Sequence, residues 1–395
     1  MSQSDAFSLR KYGAASSSGD RGATIGAVAR VLRNPRADLE GEVGTLATRG
    51  PDAKHGWGRH RWHADDVQLY PTAFATYEDV PRLFREQILP GHLPPGPLLT
   101  ERDTVLTLGS CFAQELREVL ELAKFGSSSF WIPSGLNNTY ALVDFVSWSV
   151  TGSATHRGYR YERGVGGAIE EWSPEEEQEG YERHFREAGA FVFTLGLAEV
   201  WTDRDNGRVF WRGVPEDVYD DERHQLRIST VAENAENVRE IVRLIHSVNP
   251  AAPIVLTLSP VPLLATFRDM SCMTADCVSK SVLRVALDNV MSEQPENVYY
   301  WPSFELVKWA GSTFDWRAWG EDARHVHRYL VQCIVNEFVE AFYGPELAAR
   351  LRRDRHQLAP PHPARRAFRK AVWLSQRAGN RIARETASLR GKTPA

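Results

Sequence analysis

Two short stretches of the sequence combine residue types that can carry out nucleophilic chemistry. In the first, TVLTLGSCFAQEL at residues 104–116, Ser110 follows an apolar, β-branched run and precedes a helical pattern. Free backbone N–H groups and the positive end of the helix dipole surround such a corner and stabilise an oxyanion. Because a serine hydroxyl is a weak nucleophile by itself, this reading requires a general base elsewhere in the chain.

The second stretch, GEDARHVHRYL at residues 320–330, offers a base together with an acid that can orient it. Asp322 and His325 are three residues apart, a spacing that puts both side chains on one side of a turn or of a first helical turn. The carboxylate can then hold one ring nitrogen, which gives the triad Ser110, Asp322 and His325. Two alternatives compete: Cys111 as nucleophile, although a helix start would turn it elsewhere, and His327 as base, although it lacks an acid at the matching spacing. Equally open is the reading in which Ser110 and Asp322 only cap helices.

Strands and helices alternate around these two stretches. The runs TVLTL, AFVFTLG and PIVLTLSP are typical of buried parallel strands. A helical stripe follows at Ala235, Val238, Ile241, Val242 and Ile245, and another helix is predicted to close at Gly344. This pattern predicts an α/β domain whose parallel sheet is covered by helices on both faces, with ligands beyond the carboxyl ends of the strands.

Composition narrows the function classes. The chain has 395 residues and a net charge of −4, which argues against a nucleic-acid-binding protein. No apolar run approaches the ~20 residues that cross a bilayer, the N-terminus lacks the apolar stretch of a secretory signal, and the cysteines are too few for a disulfide scaffold. A cytoplasmic location is therefore expected.

The sequence divides into four segments by composition. Residues 1–50 are predicted to be poorly ordered, residues 51–94 form a proline-rich lead-in packed on the core, and residues 95–345 form the α/β domain. The last segment, 346–395, is rich in arginine and contains a predicted amphipathic helix from Ala364 to Ile382. Such a segment is either a solvated tail or a contact for an anionic membrane or partner.

Several motifs occur together in an order that resembles the GSCFA family. They are LGSCFA at 108–113, FTLGLAEVW at 193–201, LTLSPVPL at 256–263, SKSVL at 279–283, YYWPSFE at 299–305 and DARHV at 322–326. That family is similar to the SGNH hydrolases, which are esterases and acyltransferases. The resemblance implies a three-layer α/β/α, flavodoxin-like fold, with Ser110 as nucleophile and Asp322 and His325 as the D-x-x-H pair.

One motif departs from the SGNH pattern. Those enzymes carry G-x-N-D after a middle strand, and the asparagine donates to the oxyanion, whereas the matching stretch here runs from Gly196 to Glu199 without an asparagine. Gly135, Asn137 and Asn138 lie where a second donor is expected, so an amide of either asparagine is a candidate substitute. The alternative is that the asparagines only cap a loop.

Three further features have weaker claims. Ser259 is expected at the ligand-facing edge of the sheet, at the end of a strand. Lys280, which the pattern places at the start of a helix, is expected to be solvated rather than to bind an anionic substrate. A cluster of histidines at 55, 60 and 63 has no matching ligand pair, so neither a metal nor a cofactor is expected.

The sequence therefore predicts a serine-dependent esterase or acyltransferase that acts on an O-acyl ester. The expected substrate is a small molecule or a glycan ester, with a carbohydrate as the carrier of the acyl group. The alternative is a non-catalytic glycan-binding or scaffolding protein on the same fold.

Overall fold

A computed structural model of the chain describes residues 70–71, 76–77, 79–109, 111–122, 136–153, 161–163, 169–171, 178–313, 318–320 and 322–354. The chain divides into two units, Met1–Ala73 and Phe74–Ala395, and every element below belongs to the second. Two predicted site residues, Ser110 and Gly135, lie outside the described residues. The predicted histidine cluster and the predicted helix from Ala364 to Ile382 lie outside them as well.

The described residues form a four-stranded sheet and two small hairpins. The strands are β1 Val105–Gly109, β2 Tyr161–Arg163, β3 Ile169–Glu171, β4 Ala190–Leu195, β5 Glu199–Asp203, β6 His224–Ile228, β7 Ile254–Leu258 and β8 Val298–Trp301. The main sheet is parallel with the order β1-β4-β7-β8, while β2 pairs with β3 and β5 pairs with β6, both antiparallel. Three of the four central strands are the runs that the sequence predicts.

Helices connect these strands. They are α1 Val80–Leu83, which continues as a π-helical turn at Phe84–Ile88, α2 Cys111–Leu122, α3 Thr139–Thr151, α4 Gln178–Glu187, α5 Val231–Val248, α6 Cys272–Ser292, α7 Ser303–Thr313, α8 Arg328–Tyr343 and α9 Pro345–Asp354, together with a 3₁₀ turn at Glu216–Val218. Within the described ranges, no helix combines the length and apolarity that crossing a bilayer requires.

Alternate residues of the strands pack into two separate hydrophobic clusters. Leu106, Leu108 and Phe193 belong to one cluster with buried residues of α3, α4, α5 and α6. Val105 and Val192 belong to the other, with buried residues of α1, α2, α7, α8 and α9. Because successive side chains of a strand point to opposite faces, both faces of the sheet are buried. The predicted α/β class, with a parallel sheet and helices, is confirmed.

Local signals explain where the helices begin and end. Helix α5 starts with a capping box in which Thr230 and Glu233 exchange hydrogen bonds, and its predicted apolar stripe is buried. Helix α8 ends at Gly344, as predicted. Helix α6 begins at Cys272 after the N-cap Ser271, so Lys280 lies in its middle and not at its start.

The first part of the predicted arginine-rich segment belongs to the folded core. Helix α9 packs against α8, and its residues Ala348 and Leu351 are buried in the second hydrophobic cluster. Its two arginines near the end, Arg352 and Arg353, complement the helix dipole.

Candidate active site

The predicted nucleophile lies in sequence between a strand and a helix of the structure. Strand β1 ends at Gly109 and helix α2 begins at Cys111, so Ser110 is the single residue between them. Gly109 has a φ of 115°, and a Cβ at this position would overlap with the carbonyl oxygen of Thr194. Only glycine therefore allows β1 to approach β4 this closely before the chain turns.

The predicted base and its acid lie on one loop, which we call the histidine loop (residues 318–320 and 322–327). The N–H of Gly320 donates to the carbonyl oxygen of His325 over 2.8 Å, and the N–H of His327 donates to that of Ala318 over 2.7 Å. Trp319 and Val326 form an antiparallel bridge between the two arms. These backbone contacts pair residues 318–320 with residues 325–327, so Asp322 lies in the turn between the two arms and His325 at its end.

The side chains of Asp322 and His325 are in direct contact. Asp322 Oδ2 lies 2.7 Å from His325 Nδ1, and Asp322 Oδ1 accepts from the N–H groups of His325 and Arg324 over 2.7 and 3.0 Å. The backbone hydrogen bond from His325, then the one from its ring, lowers the pKa of Asp322 to about 2. A charged carboxylate only accepts hydrogen bonds, so Nδ1 carries the proton and Nε2 can accept one.

An arginine attaches the histidine loop to the carboxyl edge of the sheet. Arg324 Nε donates to the carbonyl oxygen of Pro262 over 3.0 Å, and Pro262 lies four residues beyond the end of β7. Arg324 Nη1 also lies 3.4 Å from His325 Nε2. Gly109 of β1 pairs with Thr194 of β4, which pairs with Thr257 of β7, so the ends of β1 and β7 are about 10 Å apart, two strand spacings.

Unlike His325, His327 uses its side chain to cap a helix. Its Nδ1 accepts from the N–H of Tyr329 over 3.1 Å, and it is the N-cap of helix α8. The alternative in which Asp322 caps helix α8 is therefore wrong, since His327 occupies that cap. Asp322 instead closes a turn within the histidine loop.

The two candidate asparagines differ in their surroundings. Asn138 is buried and caps helix α3: its Oδ1 accepts from the N–H of Ala141 over 2.8 Å, and its Nδ2 donates to Trp211 and Phe210 carbonyls over 3.2 and 3.4 Å. Asn137 is half-buried, and its side-chain amide has no hydrogen-bond partner among the described residues. These contacts favour a structural role for Asn138 and leave Asn137 as the candidate donor.

The stretch that replaces the G-x-N-D motif is held from two sides, and we call residues Gly196–Ala198 the clamped loop. The N–H groups of Gly196 and Leu197 donate to the backbone oxygen of Asn137 over 2.8 and 3.0 Å. From helix α6, Lys280 Nζ donates to the carbonyl oxygen of Gly196 over 2.5 Å, and Ser279 Oγ accepts from the N–H of Ala198 over 2.8 Å. Because the N–H of Gly196 already donates to the backbone oxygen of Asn137, it helps to position Asn137 and is engaged where an oxyanion would need a donor.

Lys280 is buried, so the expectation that it is a solvated helix residue is wrong. Its side chain is 3% exposed, and burial lowers its pKa to about 8. The sequence carries no signal for this burial beyond the apolar neighbours of the helix, because the carbonyl group that Lys280 meets comes from a loop 84 residues away.

Ser259 also lies below the surface. It is 1% exposed, its N–H donates to the carbonyl oxygen of Leu195, and its Oγ accepts from the N–H of Val261 over 3.3 Å. Ser259 therefore shapes the turn after β7, as expected for a serine at a strand end.

A cavity of about 460 Å³ opens beside the clamped loop. Among the described residues, its wall includes Asn137, Leu197, Trp201, Leu263 and Phe267. Leu263 directly follows Pro262, to which the histidine loop is attached. Sequence reasoning missed Phe267, since a lone phenylalanine in a loop has no periodicity that marks it.

A comparison with protein-family models identifies the family to which the chain is related. Residues 104–338 match the model of the GSCFA family. The protein belongs to the GSCFA family. The match includes both stretches of the predicted triad, the asparagine pair and the clamped loop, and it confirms the resemblance seen in the sequence motifs.

Other comparisons with this GSCFA protein are less informative. A sequence comparison with curated proteins finds no significant match. Among solved structures, the chain is similar to an acetyl xylan esterase (Est2A) from the rumen bacterium Butyrivibrio proteoclasticus, with 11% sequence identity and a TM-score of 0.25. The alignment covers 61% of this chain and 63% of the esterase, so the chain spans less than two thirds of that protein.

Proposed function

We propose that this GSCFA protein is a serine-dependent esterase or O-acyltransferase. One observation carries the proposal: the carboxylate of Asp322 holds Nδ1 of His325 at 2.7 Å, on a loop attached to the edge of the sheet where Ser110 follows β1. An acid, an imidazole and a hydroxyl in this order are the groups that acyl transfer requires. The proposed substrate is an O-acyl ester whose alcohol part is a carbohydrate or glycan, and the proposed location is the cytoplasm.

The proposed reaction has two steps. Ser110 Oγ attacks the acyl carbonyl carbon while His325 Nε2 accepts the hydroxyl proton, and the proton then passes to the departing alcohol as its C–O bond breaks. In the second step, water or a second alcohol attacks the acyl-serine, again losing its proton to His325, which returns it to Ser110 Oγ. The oxyanion of each tetrahedral intermediate is proposed to accept from the backbone N–H of Ser110 and the side chain of Asn137.

The finer fold assignment is part of the same proposal. A parallel sheet between two hydrophobic clusters, each containing helices, supports the three-layer, flavodoxin-like arrangement of the SGNH type. In such sheets ligands bind beyond the carboxyl ends of the strands, which is where the histidine loop is attached.

The test combines covalent labelling with an esterase assay. A fluorophosphonate probe is expected to form one adduct at Ser110 in the folded protein. Ser110→Ala is expected to lose the adduct and to reduce turnover of p-nitrophenyl esters by about 10⁴-fold or more. Cys111→Ala is the matched control, because it removes the neighbouring thiol and should retain both properties. Labelling of Cys111, or full turnover by Ser110→Ala, would contradict the proposal.

A non-catalytic glycan-binding or scaffolding role is the second candidate. It is favoured by the engagement of Asn138 and of the Gly196 N–H in structural hydrogen bonds, which leaves few donors for an oxyanion. This candidate predicts that Ser110→Ala retains both glycan affinity and biological activity. A folded Ser110→Ala protein without biological activity would exclude it.

A further inference from the structure

The cavity beside the clamped loop has the size and the lining of a small-molecule site. Its volume of about 460 Å³ lies within the ~300–1,000 Å³ typical of such sites, which are mostly apolar. Aromatic and aliphatic side chains make up most of its wall. They include Leu197, Val200, Trp201, Phe210, Leu226 and Leu263.

Two polar side chains of the wall are already engaged by the protein. Both carboxylate oxygens of Glu199 accept from Thr266 Oγ1, over 3.0 and 2.9 Å, and Arg268 Nη1 lies 3.6 Å away. The amide of Asn138 caps helix α3 and donates to backbone carbonyls. Arg212 is a further charged side chain of the wall. A sugar ring needs partners for several hydroxyl groups, so the part of the wall around Glu199 and Asn138 suits an apolar group better.

Glu199 also holds an exposed aromatic residue over the cavity. Thr266 and Arg268, its two partners, flank Phe267, which is 74% exposed although it lines the cavity. The ring of Phe267 meets that of Trp201 edge to face, with centroids 5.2 Å apart, and Tyr219 approaches the same indole at 5.6 Å. A buried carboxylate thus positions an aromatic rim that a bound apolar group would cover.

The cavity and the proposed active site share Asn137. Asn137, the candidate oxyanion donor, is part of its wall, and Leu263 follows the Pro262 carbonyl that binds Arg324 of the histidine loop. An ester whose carbonyl group is polarised by Asn137 therefore has one of its two substituents in the cavity. We propose that the cavity binds the acyl chain of the substrate, and that this chain is apolar and longer than acetyl; its identity as an acyl chain rests on the proposed function.

Binding to a catalytically silent variant tests this ligand class without turnover. With Ser110→Ala protein, ligand-observed NMR titrations compare methyl acetate, methyl hexanoate and methyl β-glucopyranoside. The four additional methylene groups of hexanoate are expected to tighten binding by on the order of tenfold or more. Equal affinity for the two esters, or preferential binding of the glucoside, would overturn the inference.

A pair of variants on one segment locates the binding. Phe267→Ala in the Ser110→Ala background should lose most of the preference for hexanoate. Leu264→Ala should retain it, because Leu264 is similarly exposed (79%) on the same segment but does not line the cavity. Both changes remove exposed side chains, so the fold is expected to tolerate them, and a preference that survives in Phe267→Ala would contradict the location.

The two measurements, ligand binding and covalent labelling, distinguish a wrong assignment of the cavity from a wrong assignment of the catalytic function. Fluorophosphonate labelling of Ser110 without any preference for hexanoate would reject the acyl cavity and leave the esterase proposal in place. Binding of hexanoate that depends on Phe267, with no labelling of Ser110 in the wild-type protein, would support the apolar site and reject the catalytic proposal.

Discussion

The histidine loop and the clamped loop lie at the same edge of the sheet but are built differently. In the histidine loop, the side chains of Asp322 and His325 are 56% and 54% exposed, and hydrogen bonds within the loop hold them together. In the clamped loop, two buried side chains of α6, Ser279 and Lys280, bind the backbone of a distant segment. The first arrangement is local and solvated, whereas the second is long-range and buried.

Because of this difference, substitutions in the two loops are expected to affect different properties, activity in one case and the free energy of unfolding in the other. An exposed side chain contributes little to the free energy of unfolding, so its removal should change activity alone. A buried donor leaves an unsatisfied carbonyl group when it is removed, so its loss should affect the fold first. Substitutions in the two loops are therefore expected to have opposite signatures.

The largest effect is expected at His325. His325→Ala should reduce ester turnover by about 10⁴-fold or more, because it removes the proposed acceptor of the serine proton, with a change in unfolding free energy within about 0.5 kcal/mol. His327→Ala is the matched control: it should retain turnover and lose about 1 kcal/mol of stability, since it removes the cap of α8. Steady-state kinetics and urea unfolding measure both. The reverse pattern would identify His327 as the base.

A smaller effect is expected at Asn137. Asn137→Ala should lower kcat by about 10²- to 10³-fold, the usual cost of losing one oxyanion donor, and should leave the melting temperature nearly unchanged. Asn138→Ala should instead lower the melting temperature, because it removes the cap of α3 and buried hydrogen bonds to the Trp211 segment. Full activity of Asn137→Ala would mean that another group binds the oxyanion.

The smallest effect concerns the pH dependence of stability in the clamped loop. Burial lowers the pKa of Lys280 to about 8 from an ordinary value of 10.5, so between these values the unfolded chain binds a proton that the folded protein has lost. The free energy of unfolding therefore rises with pH through this window, by about 2 kcal/mol from about pH 7.5 to about pH 10.

The control for this measurement is Lys280→Met, which removes the titrating group and keeps an apolar side chain of similar length. The stability of the wild-type protein relative to Lys280→Met, from urea unfolding at each pH, should increase as the pH rises. A relative stability that is constant or that decreases would show that burial does not lower the pKa of Lys280.

Local sequence signals predicted the parts of the molecule whose contacts are close in sequence. The apolar runs of β1, β4 and β7 and the stripe of α5 follow from side-chain periodicity, and both are found where they were predicted. The contact between Asp322 and His325 was equally accessible, because a spacing of three residues brings two side chains together on almost any turn. Strand β8 and the β5–β6 hairpin carry no equally clear pattern and were not predicted.

Contacts between distant segments had no such signal. Whether a lysine in a helix is solvated or buried depends on what lies above it, and for Lys280 that is the carbonyl group of Gly196. Adjacent asparagines look equivalent in the sequence, but only Asn138 meets the carbonyl groups of the Trp211 segment. Glu199 ends the stretch that replaces the G-x-N-D motif, while its contacts with Thr266 and Arg268 beside Phe267 depend on a segment more than sixty residues away.

By itself, the sequence determined three of the four parallel strands, the helices α2, α5 and α8 and the pairing of one acid with one imidazole, because each of these depends on periodicity or on neighbours within a few residues. The tertiary structure decided which asparagine remains available, why a lysine is buried and where an apolar cavity forms. These outcomes depend on which distant backbone groups come into contact once both faces of the sheet are covered, and that information is distributed over the whole domain.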